Sequence, residues 1–151
     1  MYKHILVPID GSDTSRRGLR EAIGLAALLK AKLRLLHVIG DYGIMGEMTS
    51  TIDLEKYHSG LLQWGRDLLE KTAAEVRAGG LEVSTELREP GGGRVADAIV
   101  EEAREARCDL IVIGTHGRRG FSHALMGSDA ERVVRESSVP VLMVRASQAA
   151  E

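Results

Sequence analysis

Five short apolar or alternating runs punctuate the chain: HILVPI at 4–9, LRLLHVI at 33–39, LEVSTEL at 81–87, DLIVIG at 109–114 and VPVLMVR at 139–145. Each has the length of a β-strand. Between them, apolar positions recur every three or four residues, the period of one helix face. Leu19, Ile23, Ala26 and Leu29 form the first such face, Leu54, Tyr57, Leu61, Trp64 and Leu68 the second, and Val95, Ile99, Ala103 and Ala106 the third. Ser12 or Asp13 caps the first helix and Asp53 the second, and Gly79-Gly80 supplies a left-handed stop. Strict β-α alternation, with near-continuous Val, Ile and Leu in HILV and DLIVI, predicts an α/β domain: one parallel five-stranded sheet, helices on both faces, right-handed crossovers. The long irregular segment GDYGIMGEMTST, 40–51, reads as a lid, a partner surface or a plain surface loop.

In open sheets of this kind a ligand sits beyond the carboxyl ends of the strands, where strand order reverses. The first and fourth runs end in VPIDGSD and VIGTHGRRG, delivering small and polar residues to one edge. Pro8 lacks an amide in what should be a central strand, and broken local rules of that kind collect at functional sites. The segment IGTHGRRGFSHALMGSDAE, 113–131, then reads as an anion loop: Gly114, Gly117, Gly120 and Gly127 let backbone amides approach a ligand. Ser128-Asp129-Ala130-Glu131 has capping-box spacing and places a helix N-terminus at Ser128, whose free amides and dipole favour a phosphate. The alternative is a simple turn with Ser128 only capping. A Walker loop is absent, and so is a G-x-G-x-x-G after the first strand, which weakens high-turnover NTPase and dehydrogenase readings.

Composition narrows the picture. A chain of 151 residues fits one domain, expected over 1–146 with a short tail at 147–151. The formal net charge of -2 argues against a general nucleic-acid or membrane-surface partner, so any anion site is local. One cysteine, Cys108, forms no internal disulfide and reads as a buried small residue. No signal-like stretch precedes the first strand, and the longest run without polar side chains, AIGLAALL, is too short to span a bilayer. A reducing, cytoplasmic compartment is expected. His116 and His123 flank the loop, but no acidic or cysteine cluster completes a metal set. His4, His37 and His58 read as packing or surface residues.

The spacing Gly114-x2-Gly117-x9-Gly127-Ser128 resembles the G-x2-G-x9-G-[ST] pattern of the universal stress protein family, in its ATP-binding branch. ILVPIDGSDTS is similar to that family's opening strand and turn, LHVI to its second strand, CDLIVIGTHGRRGFSHALMGSDAERVV to its nucleotide loop and VPVLMVR to its closing strand. The resemblance implies a Rossmann-like sheet of the adenine nucleotide alpha hydrolase kind, strand order 3-2-1-4-5. It implies ATP, with Mg²⁺ held mainly by the phosphates, lying across the first and fourth strand ends. Val38 would offer backbone groups to the adenine edge, and Pro8, Ile9 and Ile113 would form apolar walls. Asp10 would hold the ribose hydroxyls beside Gly114. Amides of His116, Gly117, Gly127, Ser128 and Asp129, with the Ser128 hydroxyl, would line the phosphates. Many family members carry a neutral residue where this chain has Asp129, whose carboxylate would repel a triphosphate unless it points away or Mg²⁺ intervenes; Arg118 and Arg119 would offset it.

The expected role is a nucleotide-binding regulator of a stress response, read by an unknown protein partner. No catalytic constellation is fixed, so at most weak ATP hydrolysis or autophosphorylation is expected; a cyclic-AMP binder is the alternative ligand reading. A phosphorelay receiver is rejected, because no Lys-Pro follows the last strand and the third ends in no acceptor aspartate. VPVLMVR, with Pro140 at its start, reads as an edge strand, and the resemblance implies that it pairs with its twin in a homodimer.

Overall fold

The computed structural model describes residues 1–40, 51–90, 93–115 and 127–145. The near-continuous apolar character of the first run, buried on both faces from Ile5 to Val7, suits the centre of a sheet. β1 (His4–Pro8) lies between β2 (Lys32–Val38) and β4 (Leu110–Gly114), with β3 (Val83–Arg88) beyond β2 and β5 (Val141–Val144) beyond β4. Every pairing is parallel and the order is β3-β2-β1-β4-β5, as expected. Four helices connect the strands: α1 (Asp13–Leu29), α2 (Thr51–Ala78), α3 (Val95–Glu105) and α4 (Ser128–Glu136).

Because successive strand residues face opposite ways, the sheet divides its apolar side chains into two cores. Ile5, Val7, Leu33, Leu35 and Val112 pack under α1 and α2, through Leu19, Ala22 and Ala26 and through Leu69, Ala73 and Val76. Leu6, Leu36, Ile111 and Ile113 face the other way, onto Ala96, Ile99 and Ala103 of α3 and Ala130 and Val133 of α4. Cys108 belongs to this second core, and burial pushes its thiol up to about 12, which keeps it protonated and unreactive.

Helix caps depart from the sequence reading in two places. Ser12 does cap α1, its hydroxyl accepting the Ser15 amide at 3.1 Å. α2, however, already begins at Thr51, so Asp53 lies inside its first turn, where the helix dipole favours a carboxylate. α4 is capped by Gly127 rather than Ser128: the Glu131 amide bonds the Gly127 carbonyl at 3.0 Å, making Ser128 the first helical residue. The helix therefore starts at Ser128 as expected, and only the cap lies one position earlier, because glycine is also accepted at an N-cap. Gly80, at φ +83°, provides the left-handed stop after α2.

One polar cluster sits within the second face. Glu102 of α3 is only 2% exposed and accepts from Arg34 Nε at 2.8 Å and Arg88 Nε at 2.6 Å, joining β2, β3 and α3. Arg34 also reaches Glu86, and Arg88 reaches Glu105. Two guanidinium groups on one buried carboxylate satisfy it, and removing that carboxylate leaves each cation only its outer partner and breaks the link between β2, β3 and α3. Glu102→Ala is expected to lower the unfolding free energy by about 3 kcal/mol, with Glu102→Gln losing less, measured by urea denaturation.

Candidate functional site

A crevice opens where β1 and β4 part company. Their pairing covers Ile5↔Leu110 and Leu6↔Ile111, whereas β1 stays in register with β2 as far as Pro8↔Leu36. The Ile9 amide bonds the Leu36 carbonyl at 2.8 Å. By alternation, the amide that Pro8 lacks would face β4, beyond their last pair. Proline is tolerated in this central strand because no ladder bond is lost there.

The space so opened is a pocket of about 870 Å³ at the carboxyl ends of the strands. Pro8, Ile9 and Asp10 line it from the end of β1, Val38 from β2, and Ile113 and Gly114 from β4. Gly127, Ser128 and Asp129 line it from the start of α4. These are all the expected site positions that fall within the described residues. His116 and Gly117, together with Arg118, Arg119 and His123, lie outside them, as do residues 41–50 of the long segment and the tail from 146.

Local packing sets the pocket's floor and walls. The N-terminal turn of α1 seats directly on the end of β4: a Cβ on Gly114 would lie 2.7 Å from the Thr14 carbonyl oxygen. No other residue fits there without moving α1. Asp10 is held in an Asx turn, its Oδ1 accepting the Ser12 amide at 2.8 Å, while its own amide donates to the Ser15 hydroxyl at 3.3 Å. Gly11 follows at φ +81° with the Trp64 ring above it, so close that an added Cβ would sit 3.2 Å from the indole.

α2 adds a wall that the sequence did not assign to the site. Tyr57, Leu61 and Trp64 all line the pocket, with His37 beside them from β2. The His37 ring meets Trp64 edge to face at 5.3 Å, and its Nδ1 donates to the Ile9 carbonyl at 2.8 Å, assigning the proton to Nδ1. Gly65 permits this approach, since a Cβ would come within 2.8 Å of His37 Cδ2 and Leu87 Cδ1. His37 is thus a buried packing residue that braces the β1 end. The helical period exposed the Tyr57-Leu61-Trp64 face, but nothing in it distinguishes a pocket wall from ordinary core.

Thr115 was also missed. It is 5% exposed, lines the pocket just after Gly114, and its hydroxyl has no hydrogen-bond partner among the described residues. Its backbone is fully used, donating to Val144 and accepting from Gly127. A buried hydroxyl without a partner costs stability until something polar meets it.

Asp129 lies in the first turn of α4, yet its carboxyl accepts the backbone amide of Ala96 at the start of α3. Partial burial raises its pKa above the usual carboxylate value and the Asp10 charge pushes the same way, while the Ala96 amide and Arg94 oppose them. Asp10 and Asp129 are the charged side chains of the described lining, to which no lysine or arginine contributes. No group of three or more His, Cys, Asp or Glu able to hold a metal occurs among the described residues, and no helix there is long and apolar enough to cross a membrane.

The sequence profile of the universal stress protein family matches residues 1–145. The chain belongs to that family. The universal stress protein MJ0531 of Methanocaldococcus jannaschii is 34% identical over 145 residues, covering 96% of this chain and 83% of its own. The solved structure of MJ0577, from the same organism, superposes with a TM-score of 0.84 at 28% identity and covers 99% of both chains. A universal stress protein solved in complex with cAMP superposes at 0.67 with 26% identity, over 97% of this chain and 98% of the other. The family membership and the strand order expected from the sequence are borne out.

Thr115→Val keeps the side-chain shape and removes the unpartnered hydroxyl. In thermal melts of the ligand-free universal stress protein, the variant is expected to be as stable as the parent or more stable by up to about 1 kcal/mol.

Proposed function

We propose that this universal stress protein is a regulator that binds an adenine nucleotide, with ATP and its Mg²⁺ as the ligand. The observation that carries the reading is convergence. Residues from β1, β2, β4 and α4, which the family resemblance implies for adenine, ribose and phosphate contacts, line one pocket at the switch point of the sheet. Its volume of about 870 Å³ suits a ligand of nucleotide size.

In this reading the base lies between the Val38 backbone and the apolar walls of Pro8, Ile9 and Ile113. Asp10, held by its Asx turn, accepts ribose hydroxyls, and the amides at Gly127 and Ser128 face the phosphates. The hydroxyls of Ser128 and Thr115 add neutral donors. With no three-ligand cluster among the described residues, Mg²⁺ suits the pocket as an ion held mainly by the phosphates, which it neutralises. In this reading occupancy rather than turnover is the signal, and slow hydrolysis or autophosphorylation is the upper limit. Cyclic AMP is the second reading, favoured by the relative solved with that ligand.

The partner side of the proposal is a homodimer through β5. That strand is an edge of the sheet, and its Leu142 and Met143 are each 39% exposed, a surface that pairing would cover. A further protein would read the nucleotide state of this cytoplasmic dimer.

Calorimetric titration of nucleotide-free protein with Mg-ATP, cyclic AMP and GTP tests the reading, followed by chromatography of the recovered nucleotide. Saturable ATP binding is expected, with ATP recovered intact and Asp10→Asn weakening it about tenfold through loss of a charged acceptor. Tighter binding of cyclic AMP selects the second reading, recovered ADP moves the protein toward an enzyme, and binding of GTP as tight as ATP overturns the adenine assignment.

A further inference from the structure

Two helix N-termini face the pocket, yet a carboxylate already occupies the electrostatic position that each would offer an anion. α4 begins with Asp129 and Glu131 in its first turn, which offsets the positive end of its dipole. The Asp129 carboxyl in turn takes the Ala96 amide of α3, one of the free donors at that helix's start. Asp10 adds a second carboxylate to the same pocket, and its charge is felt at Asp129. The described lining contains no lysine or arginine; Arg94, the cation acting on Asp129, lies outside it, and Arg118 and Arg119 lie outside the described residues. What the described lining offers instead reads hydroxyls: the neutral Ser15, Thr115 and Ser128 side chains and the acidic Asp10.

We propose that Asp129 makes this pocket select ligands by charge, so that affinity for an adenine ligand falls with each uncompensated phosphate charge and a triphosphate is accepted as its divalent-cation complex. The inference rests on the adenine-nucleotide reading above and assigns to one side chain the form of nucleotide that the pocket takes. The physical cause is like-charge repulsion at close range between the Asp129 carboxylate and the phosphates. A cation on the phosphates cancels that repulsion, whereas a nucleoside never experiences it. Asp129 therefore costs nothing with adenosine, little with a singly charged nucleotide and most with free ATP.

Asp129→Asn isolates the charge, because the asparagine carbonyl oxygen still accepts the Ala96 amide and keeps α4 tied to α3. Adenosine, AMP and ATP are titrated into parent and variant protein, in EDTA and again with excess Mg²⁺, at low and high salt. In EDTA at low salt the variant is expected to bind ATP about tenfold tighter, AMP by a smaller factor, and adenosine within about twofold of the parent. Excess Mg²⁺ or high salt should shrink the ATP gain toward the adenosine value, since both screen the repulsion. A purely structural role for Asp129 moves all three ligands together, and equal gains or losses across the series overturn the proposal. So does an unchanged ATP affinity in EDTA. Should the parent bind none of the three, with or without Mg²⁺, the nucleotide reading falls and this one with it; binding with parallel changes removes the charge assignment alone. Asp129→Ser, which also removes the charge but not a hydrogen-bonding group, is the second variant, and it must reproduce the charge-ordered gain.

Discussion

The pocket depends on one constraint, the loss of pairing between β1 and β4 beyond Leu6 and Ile111. Had the two strands continued side by side, their ladder would close the space that Ile9, Asp10, Gly114 and Thr115 now line. Pro8 secures the separation chemically, since it has no amide to donate toward β4. Gly114 secures it sterically, because α1 rests on the end of β4 with no room for a side chain. The turn through Asp10, Gly11 and Ser12 then carries the chain away from the sheet and straight into the cap of α1.

The separated ends also need support from the side, and α2 provides it. Gly65 lets the helix approach until the Trp64 ring covers Gly11 and meets His37, while His37 bonds the Ile9 carbonyl. Helix, central strand and site turn are thereby joined through two rings. On the opposite face the same task falls to Glu102, which fixes α3 to β2 and β3 and so sets where the Ala96 amide stands relative to Asp129. A ligand between these two faces would contact parts of both cores. Its binding free energy would add to the stability of the folded form, the thermodynamic requirement for a domain that signals by occupancy.

The sequence was legible wherever a period or a fixed spacing carried the information. Alternating and continuous apolar runs located all five strands, and the 3.6-residue period located the first three helices, because burial of one face leaves that trace locally; capping spacing located the fourth. The glycine spacing marked Gly114, Gly127 and Ser128, the broken strand rule marked Pro8, and the family resemblance implied Ile9, Asp10 and Asp129. What escaped depends on residues brought together from far apart. Arg34, Arg88 and Glu102 each sit in polar positions that read as solvent-facing, and only the sheet order unites them. Thr115 is a small polar residue between a glycine and a histidine, with no pattern to mark it as buried. The cap of α4 fell one residue early because glycine and serine both suit an N-cap, and spacing alone does not choose between them.

Asp129 shows how the same local feature serves opposite ends. A carboxylate in the first turn of a helix is stabilising in isolation, since it answers the free amides and the dipole. At the mouth of a pocket, that satisfaction withdraws what a phosphate would otherwise find. Here the side chain goes further and crosses to the amide of Ala96, so one residue serves the starts of both α4 and α3. With Asp10 on the same pocket, the described wall is acidic in a chain whose overall charge is only -2. The balance between helix dipoles that invite an anion and carboxylates that repel it is therefore decided within a few ångströms, and the net charge of the molecule has little part in it.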